Sequence, residues 1–287
     1  MQKVLTAEEM REVDRLTTEK YGIPSILLME NAAHAAARVI TEKLGGSVAE
    51  KSFLILCGKG NNGGDGAALA RILWTLGAKV HIVLFGKVED TKGDAKTNFD
   101  FVRNVKYLSD IFTLLKLEEV ELTEEKAKTW WKDFIYFFAI TKIDCIVDAI
   151  FGTGLTRPIE SPLGTIFETL WSNIVRRLDT LYLISLDIPS GINADLSETI
   201  GWYFYPDITI TFTAPKLANV LPPASNFNGE LVVANIGSPQ ELIDNSPSKL
   251  FLAEKQDAQS WLRQTNFTSD SYKNKRGHAL LIVGSSE

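Results

Sequence analysis

The sequence is poor in the residues that most often announce chemistry. It has only two cysteines and three histidines among 287 residues. Cys57 and Cys145 both lie in apolar runs, 53–57 and 143–147, that read as buried strands, so they are expected to be core thiols rather than a disulfide or a metal pair. His34 and His81 stand in no recognisable triad context and read as structural, and His278 lies in the C-terminal tail. No run rich in Lys and Arg occurs and the formal net charge is -6, which argues against a duplex nucleic acid as partner. A phosphorylated small molecule is still admissible, because backbone amides at a helix start bind anions without an excess of basic side chains. No apolar run is long enough to cross a membrane; the most apolar segment is only Phe134 to Ile140. The N-terminus, Met1 to Arg15, is polar and lacks the apolar stretch of a secretion signal, so the cytoplasm is the expected compartment.

What is present is a globular composition, 45% hydrophobic and 23% charged, that can bury a sizeable core. The length allows one large domain or one domain and part of another. Thr6 with Glu9 three residues on has capping-box spacing, and Met10, Val13 and Leu16 follow at helical intervals, predicting a helix within 6–21. A second helix, 25–44, carries Leu27, Leu28, Ala32, Ala35 and Val39 at helical spacing. From residue 51 apolar runs alternate with helical ones: strands at 53–57, 80–85, 145–147, 182–186, 208–212 and 231–234, helices at 64–76 and 94–105. This order predicts an α/β protein with a doubly wound, mostly parallel, Rossmann-like three-layer sheet preceded by two helices. The charged and aromatic stretch from Leu108 to Lys142, with Trp130, Trp131, Phe134, Tyr136, Phe137 and Phe138, is expected to be a helical insertion at the sheet's periphery, with a partner interface as the alternative.

Three segments carry chemistry. Gly58 to Gly66 places five glycines among Asn61, Asn62 and Asp65, between a buried strand and a helix. Such a loop brings the backbone close to a ligand, with the amides of a helix start behind it, and phosphate binding is the natural hypothesis. Gly58, Gly60 and Gly63 also satisfy the dinucleotide fingerprint, but Phe85, Gly86 and Lys87 stand where a ribose-binding carboxylate is wanted, which weakens an oxidoreductase. A Walker loop fails because no Gly-Lys-Ser/Thr follows. The second segment, Asp148 to Pro158, is again a strand followed by a glycine loop; Asp148 taken alone reads equally as a strand-end residue or helix cap. The third, Ser185 to Asp195, has Asp187 ending a strand and Ser190 in a turn; with Ile188 two residues before Ser190, a nucleophile elbow is excluded.

In this order and spacing the three segments, with the alanine-rich Leu27-Leu28-Met29-Glu30-Asn31-Ala32-Ala33 before them, resemble the NAD(P)H-hydrate epimerases, over about Thr6 to Leu242. Ala214-Pro215-Lys216 and Gly229-Glu230-Leu231 resemble that family's closing strands. The resemblance implies an isomerase of metabolite repair that interconverts the R and S forms of hydrated NADH or NADPH. It implies substrate contacts from Asn61, Asn62, Gly63, Gly64 and Asp65, from Gly152, Thr153, Gly154, Leu155, Thr156, Arg157 and Pro158, and from Asp187. It further implies a potassium ion held by Asn62, Asp148 and Ser190. The long 108–142 segment departs from the family's usual pattern and leaves oligomerisation, including a homodimer, open.

In the hydrated substrate one carbon bears both the ring nitrogen and a hydroxyl, so inversion needs a group that protonates the departing oxygen and helps water return on the other face. Asp187, a strand-end carboxylate in a partly dry pocket, is the expected acid/base. The rival from another class is a non-catalytic binding module of the same fold, which would lose the acid or the glycine loop. The domain expectation is an epimerase domain over 1–245, then a linker and the start of a second domain over 246–287. Within that tail, 273–285 resembles the first strand of the nucleotide-dependent dehydratase fused to many bacterial epimerases. That dehydratase is therefore the expected functional partner.

Overall fold

The computed structural model describes residues 1–105, 115–123, 125, 130, 142–170, 181–199, 201–264, 266 and 268–272. The chain divides into two compact units, Lys3–Leu250 on one hand and Met1–Gln2 with Phe251–Glu287 on the other.

The larger unit opens with α1 (Ala7–Glu19), whose start is the expected capping box: Glu9 N–H donates to Thr6 Oγ1 while the Glu9 carboxylate accepts from Thr6 N–H. Helix α2 (Ser25–Lys43) buries the alanine face read from the sequence. Then come β1 (Ser52–Cys57), α3 (Asn61–Thr75), β2 (Lys79–Leu84), α4 (Gly93–Val105), β3 (Leu115–Glu119), β4 (Cys145–Ala149), α5 (Leu163–Thr169), β5 (Tyr182–Leu186), β6 (Ile208–Phe212) and β7 (Glu230–Ala234). The strands form one parallel sheet in the order β3-β2-β1-β4-β5-β6-β7. Two apolar layers cover its faces. One holds Ala33, Ala36 and Ile40 of α2 with Ala67, Leu69 and Leu73 of α3 and Phe99 of α4. The other holds Leu163, Ile166 and Phe167 around α5. With both faces buried, the central strands are mostly apolar, as parallel sheets favour, with Asp148, Ser185, Thr209 and Thr211 as buried polar exceptions.

Three boundaries depart from the sequence reading. Helix α3 begins at Asn61, not Gly64, so Asn61, Asn62 and Gly63 form its first turn. Four glycines within 60–66 disguise the start, because helix propensity is poor there while packing rewards their lack of a side chain. At Gly66 an added Cβ would stand 2.7 Å from Ala149 Cβ and 2.8 Å from Cys57 Sγ, so α3 lies directly on the sheet. Strand β4 extends through Asp148, which pairs with Ser185 and is thus inside the sheet. And part of the segment expected to be a helical insertion is the edge strand β3, hidden by its charged Lys-Leu-Glu-Glu composition. Trp130 packs edge-on against Phe85, 5.8 Å between centroids, and donates its indole N–H to Glu118 at 2.6 Å. Residues 106–114, 124, 126–129 and 131–141, including the other aromatics of that stretch, lie outside the described residues, as do 273–287.

Both cysteines are buried and free, and burial pushes both thiols well above the ordinary range. His81 is buried against Glu118 at 2.9 Å, whereas His34 is exposed beside Glu30. In the smaller unit α8 (Lys255–Gln264) has no buried residue. Between β7 and that unit lies only one further short helix, α7 (Gln240–Asp244), following α6 (Leu217–Val220), among the described residues.

Candidate active site

The strand order reverses between β1 and β4, where the crossovers leave in opposite directions and open a crevice at the carboxyl ends of the strands. The loops after β1 and β4 meet there. A Cβ on Gly58 would stand 2.1 Å from Ile150 O, so the first loop can pass the second only as glycine. A cavity of about 680 Å³ fills the crevice, a size typical of small-molecule sites. Its wall includes Gly60, Asn61, Asn62 and Asp65 from the first loop and α3, and Gly152, Thr153, Gly154 and Leu155 from the second. Asp187 completes the third side. No side chain caps α3, so its first-turn amides are left without that partner.

The remaining sequence-derived residues fall elsewhere. Gly63 and Gly64 are buried packing positions; a Cβ on Gly64 would stand 2.7 Å from Ala95 Cα. Thr156, Arg157 and Pro158 are exposed and do not line this cavity. Asp148 and Ser190 are fully buried beneath the second loop. Asp148 accepts from Ser190 Oγ at 2.5 Å, Ser190 N–H at 2.8 Å, Ser185 Oγ at 2.9 Å and Ile150 N–H at 3.2 Å. Burial nevertheless pushes its carboxyl up to about 6, against the pull of those four bonds. Ser190 Oγ also accepts from Phe151 N–H at 2.9 Å, and Phe151 O accepts from Asn62 Nδ2 at 2.9 Å. Asn62, Asp148 and Ser190 are thus linked through one residue of the second loop.

Asp187 is held in a left-handed conformation, φ 65°, a strain seen chiefly where surrounding structure enforces it. This turns its carboxylate out of the strand direction. Oδ2 accepts from Thr153 N–H at 3.0 Å and Oδ1 from Lys216 Nζ at 2.7 Å. Lys216 is 1% exposed and also donates to Thr211 Oγ1 at 2.8 Å and Phe212 O at 3.0 Å, so all three of its protons are placed. Gly152 lies against the same carboxylate: a Cβ there would be 2.6 Å from Asp187 Oδ2.

Sequence reasoning missed two groups. Lys216 appears there only as part of a closing motif; a lysine directly after a buried strand, between Pro215 and Leu217, was the available signal. Asp14 of α1 lines the cavity beside Met10, one turn before it, and its Oδ1 is buried without a hydrogen-bond partner. Burial pushes Asp14 up to about 6, with Lys216 opposing and Asp187 adding to the rise. Asp65 is held well above the ordinary carboxyl range, first by burial, then by Asp187 and Asp14, against Lys216. Arg11, Arg15 and Lys59 are exposed on the cavity wall, whereas Lys216 is the buried basic group among the acids.

Comparisons with known proteins identify the family. The family model described as "YjeF-related protein N-terminus" matches residues 25–218. The chain is 34% identical over 239 residues to a protein of Rhodopirellula baltica named NAD(P)H-hydrate epimerase, covering 83% of this chain and 86% of that one. It is 33% identical over 283 residues to the bifunctional NAD(P)H-hydrate repair enzyme Nnr of Thermofilum pendens, covering 99% of this chain. It is also 36% identical over 242 residues to the Moorella thermoacetica protein of the same name. The chain spans 48% and 41% of those two bifunctional relatives. Among solved structures, yeast ynu0, YNL200c, superposes with a TM-score of 0.62 at 22% identity, covering 89% of this chain and 98% of that one, a likeness of fold.

Proposed function

Because this chain belongs to the YjeF-related N-terminal family, we propose that it interconverts the R and S forms of hydrated NADH and NADPH. The observation that carries the reading is the Asp187–Lys216 pair, a carboxylate fixed on both oxygens at the wall of a small-molecule-sized cavity at the sheet's switch point. The ring nitrogen's lone pair expels the hydroxyl from the neighbouring carbon, leaving a planar cation, and water adds to either face. Asp187 carries a proton at the departing or returning oxygen. Lys216 and Thr153 N–H fix where that carboxylate points. The uncapped start of α3 and the exposed Arg11, Arg15 and Lys59 suit the substrate's phosphates. No partner redox centre or nucleotide hydrolysis is needed, since the bond broken and the bond formed are the same kind.

The donor set also fits the potassium ion. Asn62 Oδ1 is buried without a hydrogen-bond partner, and Asp148 and Ser190 add only oxygens, the ligands a hard cation takes. Among the described residues no group of three or more His, Cys, Asp or Glu is placed to hold a metal, so any site here is of this amide, hydroxyl and single-carboxylate kind. Asn62, Asp148 and Ser190 would hold the ion, which when bound orders the two loops and offsets buried negative charge. In this reading the compartment is the cytoplasm, and the functional partner is a nucleotide-dependent dehydratase.

The deciding experiment follows the two hydrate epimers over time by chiral separation, with and without protein, in the absence of ATP, ADP or a redox partner. Faster relaxation with protein is expected. Equal rates would overturn the epimerase reading.

A further inference from the structure

We propose that Asp14 is the second proton-carrying group of the reaction, the acid that protonates the departing hydroxyl while Asp187 takes the proton of the returning water. This rests on the epimerase reading and adds a residue to it. Both oxygens of Asp187 are already engaged, Oδ1 by Lys216 Nζ and Oδ2 by Thr153 N–H, whereas Asp14 Oδ1 has no partner. A hemiaminal hydroxyl leaves poorly as hydroxide, so a proton donor must be present in the same cavity.

Asp14 meets the geometric requirement. It reaches the cavity from α1, whereas Asp187 comes from the end of β5, so the two carboxyls approach one space from different elements. The buried face of α1 is Ala7, Met10, Val13 and Thr17, and the half-buried Asp14 stands beside it with Oδ1 shielded from water, a position costly for an unpaired carboxylate. A buried carboxylate oxygen kept only for structure is paired, yet the buried Oδ1 of Asp14 has no partner. Its charged neighbours along the cavity wall are Arg11 and Arg15 on its own helix, Lys59 and Asp65 from the first loop and α3, and Asp94 from α4. Asp187 and Lys216 complete that set. Arg15 is engaged with Glu12 and Glu19, and Lys216 with Asp187, so neither cation is committed to Asp14. Burial then favours the protonated form of Asp14, up to about pH 6.

The step balances. The C–O bond breaks with its electron pair on oxygen, Asp14 gives that oxygen its proton, and water leaves. The ring nitrogen supplies the pair for the new C=N bond. Water then adds to the other face, the pair returns to nitrogen, and Asp187 takes the proton. One passage leaves Asp14 deprotonated and Asp187 protonated, the state from which the reverse reaction runs with roles exchanged, and proton exchange with solvent resets the pair for another forward passage.

The test compares wild type and Asp14→Asn by the pH dependence of kcat/KM, with the melting temperature of each as control. Wild-type kcat/KM is expected to fall about tenfold per pH unit above roughly pH 6. Asp14→Asn is expected to lower kcat about 100-fold or more and to lose that limb, with no loss of melting temperature at pH 8. An active wild type beside an Asp14→Asn variant of equal kcat and unchanged profile would overturn the role of Asp14 and leave the epimerase reading standing. A wild type inert toward both hydrates would overturn both. Should the variant fold poorly, carboxyl titration of 13C-aspartate-labelled wild type decides: a resonance titrating near 6 and absent in a second variant, Asp14→Ser, supports the assignment. Titration of every labelled carboxyl outside Asp148 and Asp65 in the ordinary range overturns it.

Discussion

Asp187, Lys216 and Gly152 show how tightly one carboxylate is placed. Lys216 is fully buried with three acceptors, and one of them is charged. Removing it would strand Asp187 without its counter-charge in a partly buried position, which typically costs about 3–5 kcal/mol. Lys216→Ala should therefore lower the midpoint of denaturant unfolding markedly and abolish activity, whereas Asp187→Asn should keep the fold and lose about 100- to 10,000-fold in kcat. Near wild-type turnover in Asp187→Asn would show that another group carries the proton. Gly152→Ala separates position from chemistry. Its new methyl collides with the end of the Asp187 side chain, 2.6 Å from Oδ2, and makes ordinary contact with Asn62 Cγ at 3.4 Å, so the melting point should hold while kcat falls as the carboxylate is pushed aside. Asp14 adds a pH signature. Its value in the folded protein is about 6 against an ordinary 3.8, so the native state binds the extra proton between those values. Stability is then lost as pH rises from about 4 to 6, and Asp14→Asn should flatten that part of the stability curve; an unchanged slope in urea titrations would refute it.

At the scale of elements, the functional groups are delivered by ends, not middles. Asp187 follows β5, Lys216 follows β6, and the glycine loops follow β1 and β4. Helix α1 is the exception, since Asp14 projects from its middle. Its capping box fixes that helix, and Ala7 N–H donates to Asp195 Oδ1 at 2.7 Å, tying its start to the third loop. Thr6→Ala should cost about 1 kcal/mol of stability by denaturant titration, with KM changing more than for a surface substitution because α1 forms one cavity wall. Helix α3 depends on contact with the sheet. Gly66→Val should destabilise by roughly 1–3 kcal/mol, since any Cβ collides with Ala149 and Cys57.

For the whole molecule, the four buried apolar clusters and the cavity all lie between Leu5 and Ile243, inside the unit Lys3–Leu250. Removing residues from 267 onward should leave epimerisation and melting temperature unchanged, and a large loss of either would show that the tail supports the site. Potassium in place of a bulky organic cation at equal ionic strength should raise the melting temperature or kcat, and Asp148→Ala should abolish the difference. Indifference to the cation in both measurements would remove the ion from the reading.

The alternation of apolar runs and amphipathic stretches, with glycine loops after two strands, determined the parallel α/β sheet by itself, because strands buried on both faces read as near-continuous apolar runs. The same local logic located Asp187 and the two loops, whose turns need glycine wherever they occur. It could not find β3, since an edge strand with one solvated side need not be apolar, nor the start of α3, where sheet contact overrides propensity. Only the tertiary structure brought Asp14 and Lys216 to Asp187. They are 173 and 29 residues away in sequence, each looks locally like a surface charge, and only the order of the sheet and the packing of Met10 and Val13 of α1 against Ala214, Leu242 and Ile243 put them in one cavity.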